Sequence, residues 1–263
     1  MKSALYSPLS SGLFLTLCGV YGYGFYWLVQ SSIWFALMLT LVLPLLFWPL
    51  TQPVENAGEI KRILCLETGF NLLCFLAVSQ WLSLTDFDKG LMVFFVLQSV
   101  GFILVQFKKK AYLSMLISVV LAATIAHWMC SGEQTSLLGE GKLLLVGKAI
   151  PWQLSVIYGV WLIQLLLVEY RAVLPKLTLI IGHLASFLIA IGADDFFHAR
   201  IVTASHLLFL SLCVNLKSID WGGRSFATSN HLNQFIQGLA IRTALSKLFL
   251  VLVTSTYLSL FIL

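Results

Sequence analysis

Nine apolar stretches of roughly 16 to 21 residues, almost free of charged side chains, follow one another along this chain. At about 1.5 Å of rise per helical residue, each matches the hydrocarbon thickness of a bilayer. Inside hydrocarbon the backbone N–H and C=O groups have no water to bond, so such stretches satisfy themselves as helices. The predicted class is therefore all-α, a polytopic membrane helix bundle of about nine transmembrane helices. The predicted spans are Gly12–Val29, Ile33–Leu50, Ile63–Ser83, Gly90–Phe107, Ala111–Met129, Trp152–Glu169, Leu177–Gly192, Ile201–Leu216 and Leu245–Leu263.

Composition agrees, since the chain is 59% hydrophobic and 10% charged, where a soluble domain is about 25% charged. Residues 1–263 read as a single integral membrane domain. The first stretch ends in aromatic residues, Tyr21 to Trp27, rather than in a small-residue cleavage site, so this helix is expected to be retained. The five cysteines form no Cys-x-x-Cys pair, and all but Cys130 lie within apolar stretches, which predicts neither a disulfide framework nor a zinc ribbon.

Connections between spans must alternate sides, and charge gives the orientation. With the N-terminus inside, Lys89, Lys142, Lys148 and Arg200 fall outside, and the other twelve of the 16 Lys and Arg residues fall inside. That is the bias of cytoplasmic loops, and it predicts a cytoplasmic N-terminus and an extracytoplasmic C-terminus. Tryptophans 27, 34, 81, 128 and 152 sit at predicted outer ends, as amphipathic rings prefer, while Trp161 is mid-span. The expected location is the inner (cytoplasmic) membrane of a bacterium. The expected partners are the lipid bilayer and other membrane-protein subunits, and not nucleic acid, because the basic excess has a topological origin.

Pro44 predicts a kink in the second span. Two connections exceed turn length. The outer one, Cys130 to Pro151, carries the apolar piece Leu143–Val146, which either dips into the interface or lies on the outer helix ends. The inner one, Lys217 to His231, leads into Leu232–Ser246, an interfacial approach to the last span.

The chemistry-bearing residues concentrate where the seventh and eighth spans meet. His183 is followed by Asp194, Asp195, His198 and Arg200 and then by His206, around two spans of only about 16 residues. Were the seventh helix to run on unbroken, His183 and Asp194 would share a face about 20° wide, with His198 about 40° further round. Imidazole beside carboxylate suits a metal or a proton relay. The alternative is a charged turn with hydrogen-bonded packing histidines. Glu67 and Asn71 lie at i and i+4 on one face of the third span, where a carboxylate either borders a polar path or reaches back to Lys61 and Arg62. The intramembrane Gln and Ser residues read as interhelical glue.

No P-loop, GxSxG or HExxH motif is present. Sequence identifies no catalytic residue, cofactor or metal-ligand set. Three function classes stay open. The first is a transporter or transport-accessory subunit whose solute or ion path borders Glu67, Asn71, His183, Asp194, Asp195, His198, Arg200 and His206. The second is a membrane-embedded hydrolase or transferase with an outer-facing Asp/His/Arg site. The third is a non-catalytic subunit of a larger membrane complex. The scatter of polar groups over several helices, with no nucleophile beside a base, favours the first.

Overall fold

The computed structural model describes residues 8–32, 34–35, 57–130, 132–138, 143–166, 176–213 and 243–262, with scattered positions between 38 and 49. Helices form where the apolar stretches predict them: α1 (Pro8–Ser31), α2 (Ala57–Val78), α3 (Leu84–Lys108), α4 (Tyr112–Met129), α5 (Trp152–Gln164), α6 (Lys176–Ile191), α7 (Phe196–Cys213) and α8 (Thr243–Leu258), the last closing in a 3-10 turn, Ser259–Phe261. The described positions between 34 and 49 are also helical. Pro44 and the inner connection at 217–231 lie outside the described residues. Three helices among the described residues are long and apolar enough to cross a membrane: Leu84–Lys108, Tyr112–Met129 and Thr243–Phe261.

Several helices start earlier than the sequence reading has them, α1 at Pro8 rather than Gly12 and α2 at Ala57 rather than Ile63, and for α3 and α7 the local reason is visible. α3 begins at Leu84 rather than Gly90 because the Ser83 hydroxyl oxygen accepts the Asp86 N–H at 3.1 Å, and Asp86 in turn accepts from Ser83 and Lys89. α7 begins at Phe196 rather than Ile201, which draws Phe196, Phe197, His198 and Arg200 into the helix. Phe197 meets Phe95, Trp128 and Tyr158 with ring centroids 5.1 to 6.0 Å apart, so aromatic burial holds that first turn.

Side-chain placement suits an apolar solvent. α3 turns Phe87, Leu91, Phe94 and Phe95 inward and exposes Met92, Val93, Val96, Leu97 and Val100, a continuous apolar face that water would penalise. Polar side chains face inward and tie helices together. Gln164 donates to Ser114 at 2.9 Å and to Ser246 at 3.0 Å, joining α4, α5 and α8, and the Trp161 indole donates to Ser118 at 2.9 Å. Trp27, Trp34, Trp81 and Trp152 are exposed, while Trp128 is buried.

α6 and α7 form an antiparallel hairpin, and α1 packs against both. Gly22 of α1 permits that approach, since a Cβ there would stand 3.1 Å from Ile189 Cδ1. α2 touches α3 and α7, so it links the hairpin to the α3–α4–α5–α8 group.

The connection between α4 and α5, read from sequence as the outer one, is a small platform. Ser136–Leu137 pairs antiparallel with Leu143–Leu144, and the 3-10 turn Leu145–Gly147 follows. Leu143, Leu145 and Val146 are buried. The apolar piece therefore lies on the helix ends, the second of the two predicted placements.

Candidate functional site

The turn between α6 and α7 is made by its own residues. α6 stops at Ile191, and the Ala193 N–H closes on the Ala190 carbonyl at 3.2 Å. The break means that α6 does not continue through the turn, so the shared face predicted for His183 and Asp194 on an unbroken helix does not form. Asp195 then caps α7, one carboxylate oxygen accepting the His198 N–H at 3.0 Å. Its other oxygen accepts the Leu145 N–H of the platform at 2.8 Å. Asp195 is 6% exposed. Burial pushes its carboxyl up to about 6, against the opposing pull of the His198, Leu145 and Phe197 N–H groups.

Asp88 of α3 holds the same platform from the other side. Its carboxylate accepts the Thr135 N–H at 3.1 Å and the Thr135 hydroxyl proton, and the Thr135 oxygen accepts the Val146 N–H at 2.9 Å. Asp88 and Asp195 thus clamp one loop between two helix ends.

One turn deeper in α7, Arg200 is 3% exposed. Its Nη1 donates to Ser186 Oγ at 2.6 Å, and its Nη2 lies 2.8 Å from His183 Nδ1. Arginine is a donor only, so Nδ1 must carry the lone pair and His183 is a neutral imidazole protonated at Nε2. The Thr203 hydroxyl donates to the Ala199 carbonyl at 2.7 Å, which leaves Ser186 as donor to Thr203 Oγ1, also at 2.7 Å. A directed chain therefore runs from Arg200 through Ser186 and Thr203 to the backbone. The guanidinium carbon also sits 5.7 Å from the Tyr158 ring centroid. No carboxylate among the described residues stands within ion-pair distance of Arg200. Its Nε is buried without a hydrogen-bond partner.

Three more buried polar atoms, one each on α7, α2 and α4, have no hydrogen-bond partner among the described residues. His198 is 4% exposed, its Nδ1 is unpaired, and its ring lies 6.4 Å from that of Phe70. Asn71 Oδ1, next in chain to Phe70, is unpaired, as is the Trp128 indole N–H, whose ring meets Phe197 at 5.4 Å. Beside them a cavity of about 50 Å³ is lined by Phe95, Phe102, Ser118, Tyr158, Trp161 and Phe197 among others.

The predicted site residues therefore divide. His183 and Arg200 meet at the hairpin, whereas His198, about 200° round α7 from Arg200, faces Phe70 of α2, and Asp195 spends its oxygens on backbone N–H groups. Asp194 is exposed on the turn. Asn71 is half-buried on the helix that packs against α7. The side chains of Glu67 and His206 lie outside the described residues. Among the described residues no three His, Cys, Asp or Glu side chains group as a metal site.

Sequence reasoning missed Ser186, Thr203 and Tyr158. The first two were readable as i, i+3 partners of His183 and Arg200, set at similar distances either side of one short turn. Tyr158 comes from another helix and left no local signal. Comparison with protein-family models, curated proteins and solved structures finds no match to this chain.

Proposed function

We propose that this chain is a transporter or transport-accessory subunit of the cytoplasmic membrane, with nine transmembrane helices, a cytoplasmic N-terminus, an extracytoplasmic C-terminus and a polar path beside the first turns of α7. One observation carries the reading. Asn71 Oδ1, Trp128 Nε1, His198 Nδ1 and Arg200 Nε are all buried without a partner among the described residues; His198 and Arg200 lie on α7, Asn71 on α2, which packs against α7, and Trp128 on α4, where its ring meets Phe197. Unpaired buried polar atoms are rare because each costs about 1–3 kcal/mol, so four on α7 and the helices that touch it favour places for water or solute along that helix. The hydrolase reading is less favoured because Asp88 and Asp195 are engaged by the outer platform, which leaves neither as a ready base.

Thiol accessibility tests the path without knowing the solute. In a cysteine-free background, His198→Cys and Asn71→Cys are expected to react within minutes with a membrane-impermeant methanethiosulfonate added from outside. Ile157→Cys, at a fully buried apolar position, is expected to stay unlabelled. Protection of all three thiols would remove the hydrated path.

A further inference from the structure

Arg200 is a desolvated cation held by neutral groups. Ser186 and His183 accept two of its five N–H groups among the described residues, and Tyr158 offers its ring, yet none of these supplies negative charge. A buried, uncompensated charge is expensive, and a charge inside a membrane domain has a partner as a rule. The fork is also oriented in advance. Ser186 is locked by Thr203 and His183 by its tautomer, so the guanidinium cannot turn freely, while the Nε–H remains unused. Guanidinium edges match planar oxyanions, which take two parallel N–H bonds at once.

We infer that Arg200, set by His183 and Ser186 at the α6–α7 crossing, is the binding group for an oxyanion, either a carboxylate or a phosphate. The inference rests on the transport reading and names the solute class of its path. Bound there, the anion receives the Nε–H and compensates the guanidinium, and Tyr158 closes one side of the site. His183 has a positioning role. Its Nδ1 accepts the Nη2–H and so fixes the plane of the fork.

The test is melting of the full-length purified protein in detergent, titrated with acetate, inorganic phosphate or chloride at constant ionic strength. Saturable stabilisation by acetate or phosphate and not by chloride is expected, and which of the two acts first at low concentration assigns the anion. Arg200→Gln is expected to weaken it at least about tenfold, and Arg200→Lys to retain part, since a lysine keeps the charge without the fork. Gln164→Leu, whose side chain bonds Ser114 and Ser246 away from Arg200, is expected to leave it unchanged.

Should Arg200→Gln fail to fold, the reduced stabilisation of Arg200→Lys by the same anions serves as the readout. Stabilisation by phosphatidic acid in nanodiscs but not by free phosphate supports the site and identifies a lipid headgroup as the source. Absence of any oxyanion effect beyond chloride overturns the inference. So does parallel destabilisation by Glu67→Gln and Arg200→Gln, which makes Glu67 the counter-ion. Because thiol labelling of His198→Cys reports the path independently, labelling without anion binding refutes this inference alone.

Discussion

Asp195 accepts the His198 N–H with one oxygen and the Leu145 N–H with the other, so a single side chain both caps α7 and ties the outer platform to it. Burial outweighs those two bonds and lifts the carboxyl from an ordinary 3.8 to about 6. The folded protein therefore holds this proton more tightly than the unfolded chain does. Stability from this group is complete below about pH 4 and is lost as pH rises through 6, by at most about 3 kcal/mol. Asp195→Asn keeps a capping oxygen and cannot titrate, so its melting temperature in detergent should lack the fall expected of the wild type between pH 4 and 7. A wild-type slope in that variant would assign the titration to another group. Asp195→Ala removes cap and loop bond together and should cost about 1–2 kcal/mol at every pH. Gly147 is constrained differently. Its φ is +68°, and a Cβ there would fall 2.5 Å from the Gln134 carbonyl oxygen, so Gly147→Ala should destabilise the platform by more than about 1 kcal/mol, read as faster proteolysis of the outer loop.

Helix existence was legible from apolar length alone, because a span must cover a fixed thickness and lipid tolerates few charges within it. Helix starts were less legible. Ser83 and Asp86 form an N-terminal cap just before an apolar run, a local signal that the span-length argument passed over. At α7 the start depends on Phe197 finding Phe95, Trp128 and Tyr158 on three other helices, which no local window contains. Helix contacts also carry their own predictions. Gly159 of α5 faces Phe187 of α6, and an added Cβ would stand 2.9 Å from the ring tip. That ring is hemmed by Tyr158 and Phe196, so it cannot swing away cheaply. Gly159→Ala gains helix propensity but overpacks, for a net loss of about 1 kcal/mol. Through Tyr158 it should also weaken oxyanion stabilisation, whereas a loss of melting temperature with anion affinity intact would mean that Tyr158 does not shape the site. Gln164→Leu, which cuts the α4–α5–α8 hydrogen bonds, should cost about 1 kcal/mol in a detergent melt and leave anion binding unchanged.

At the scale of the whole chain, the topology proposed from charge and apolar length, nine helices with the N-terminus inside, predicts that residue 263 is outside. A reporter fused after Leu263 should be active only in its extracytoplasmic form, and activity of a cytoplasmic form would shift the helix count by one. The site was legible in part. Two carboxylates, a histidine and an arginine in seven residues pointed to the hairpin, but their roles depend on partners far along the chain. Leu145 lies 50 residues from Asp195, and Thr135 lies 47 from Asp88, so sequence gave no sign that these carboxylates hold a loop. Arg200 was counted as an outer-surface charge, and only the early start of α7 takes it inside. The contact between α1 and the α6–α7 hairpin also bears on biosynthesis. Cys18 and Gly22 pack on Ala185, Ile189 and Leu207, residues translated long after α1 has left the ribosome. During insertion that face of α1 has no mate, so it must wait against lipid or an insertase until the hairpin is made. Nascent chains arrested before residue 176 would carry an orphaned first helix, a ready substrate for membrane quality-control proteases.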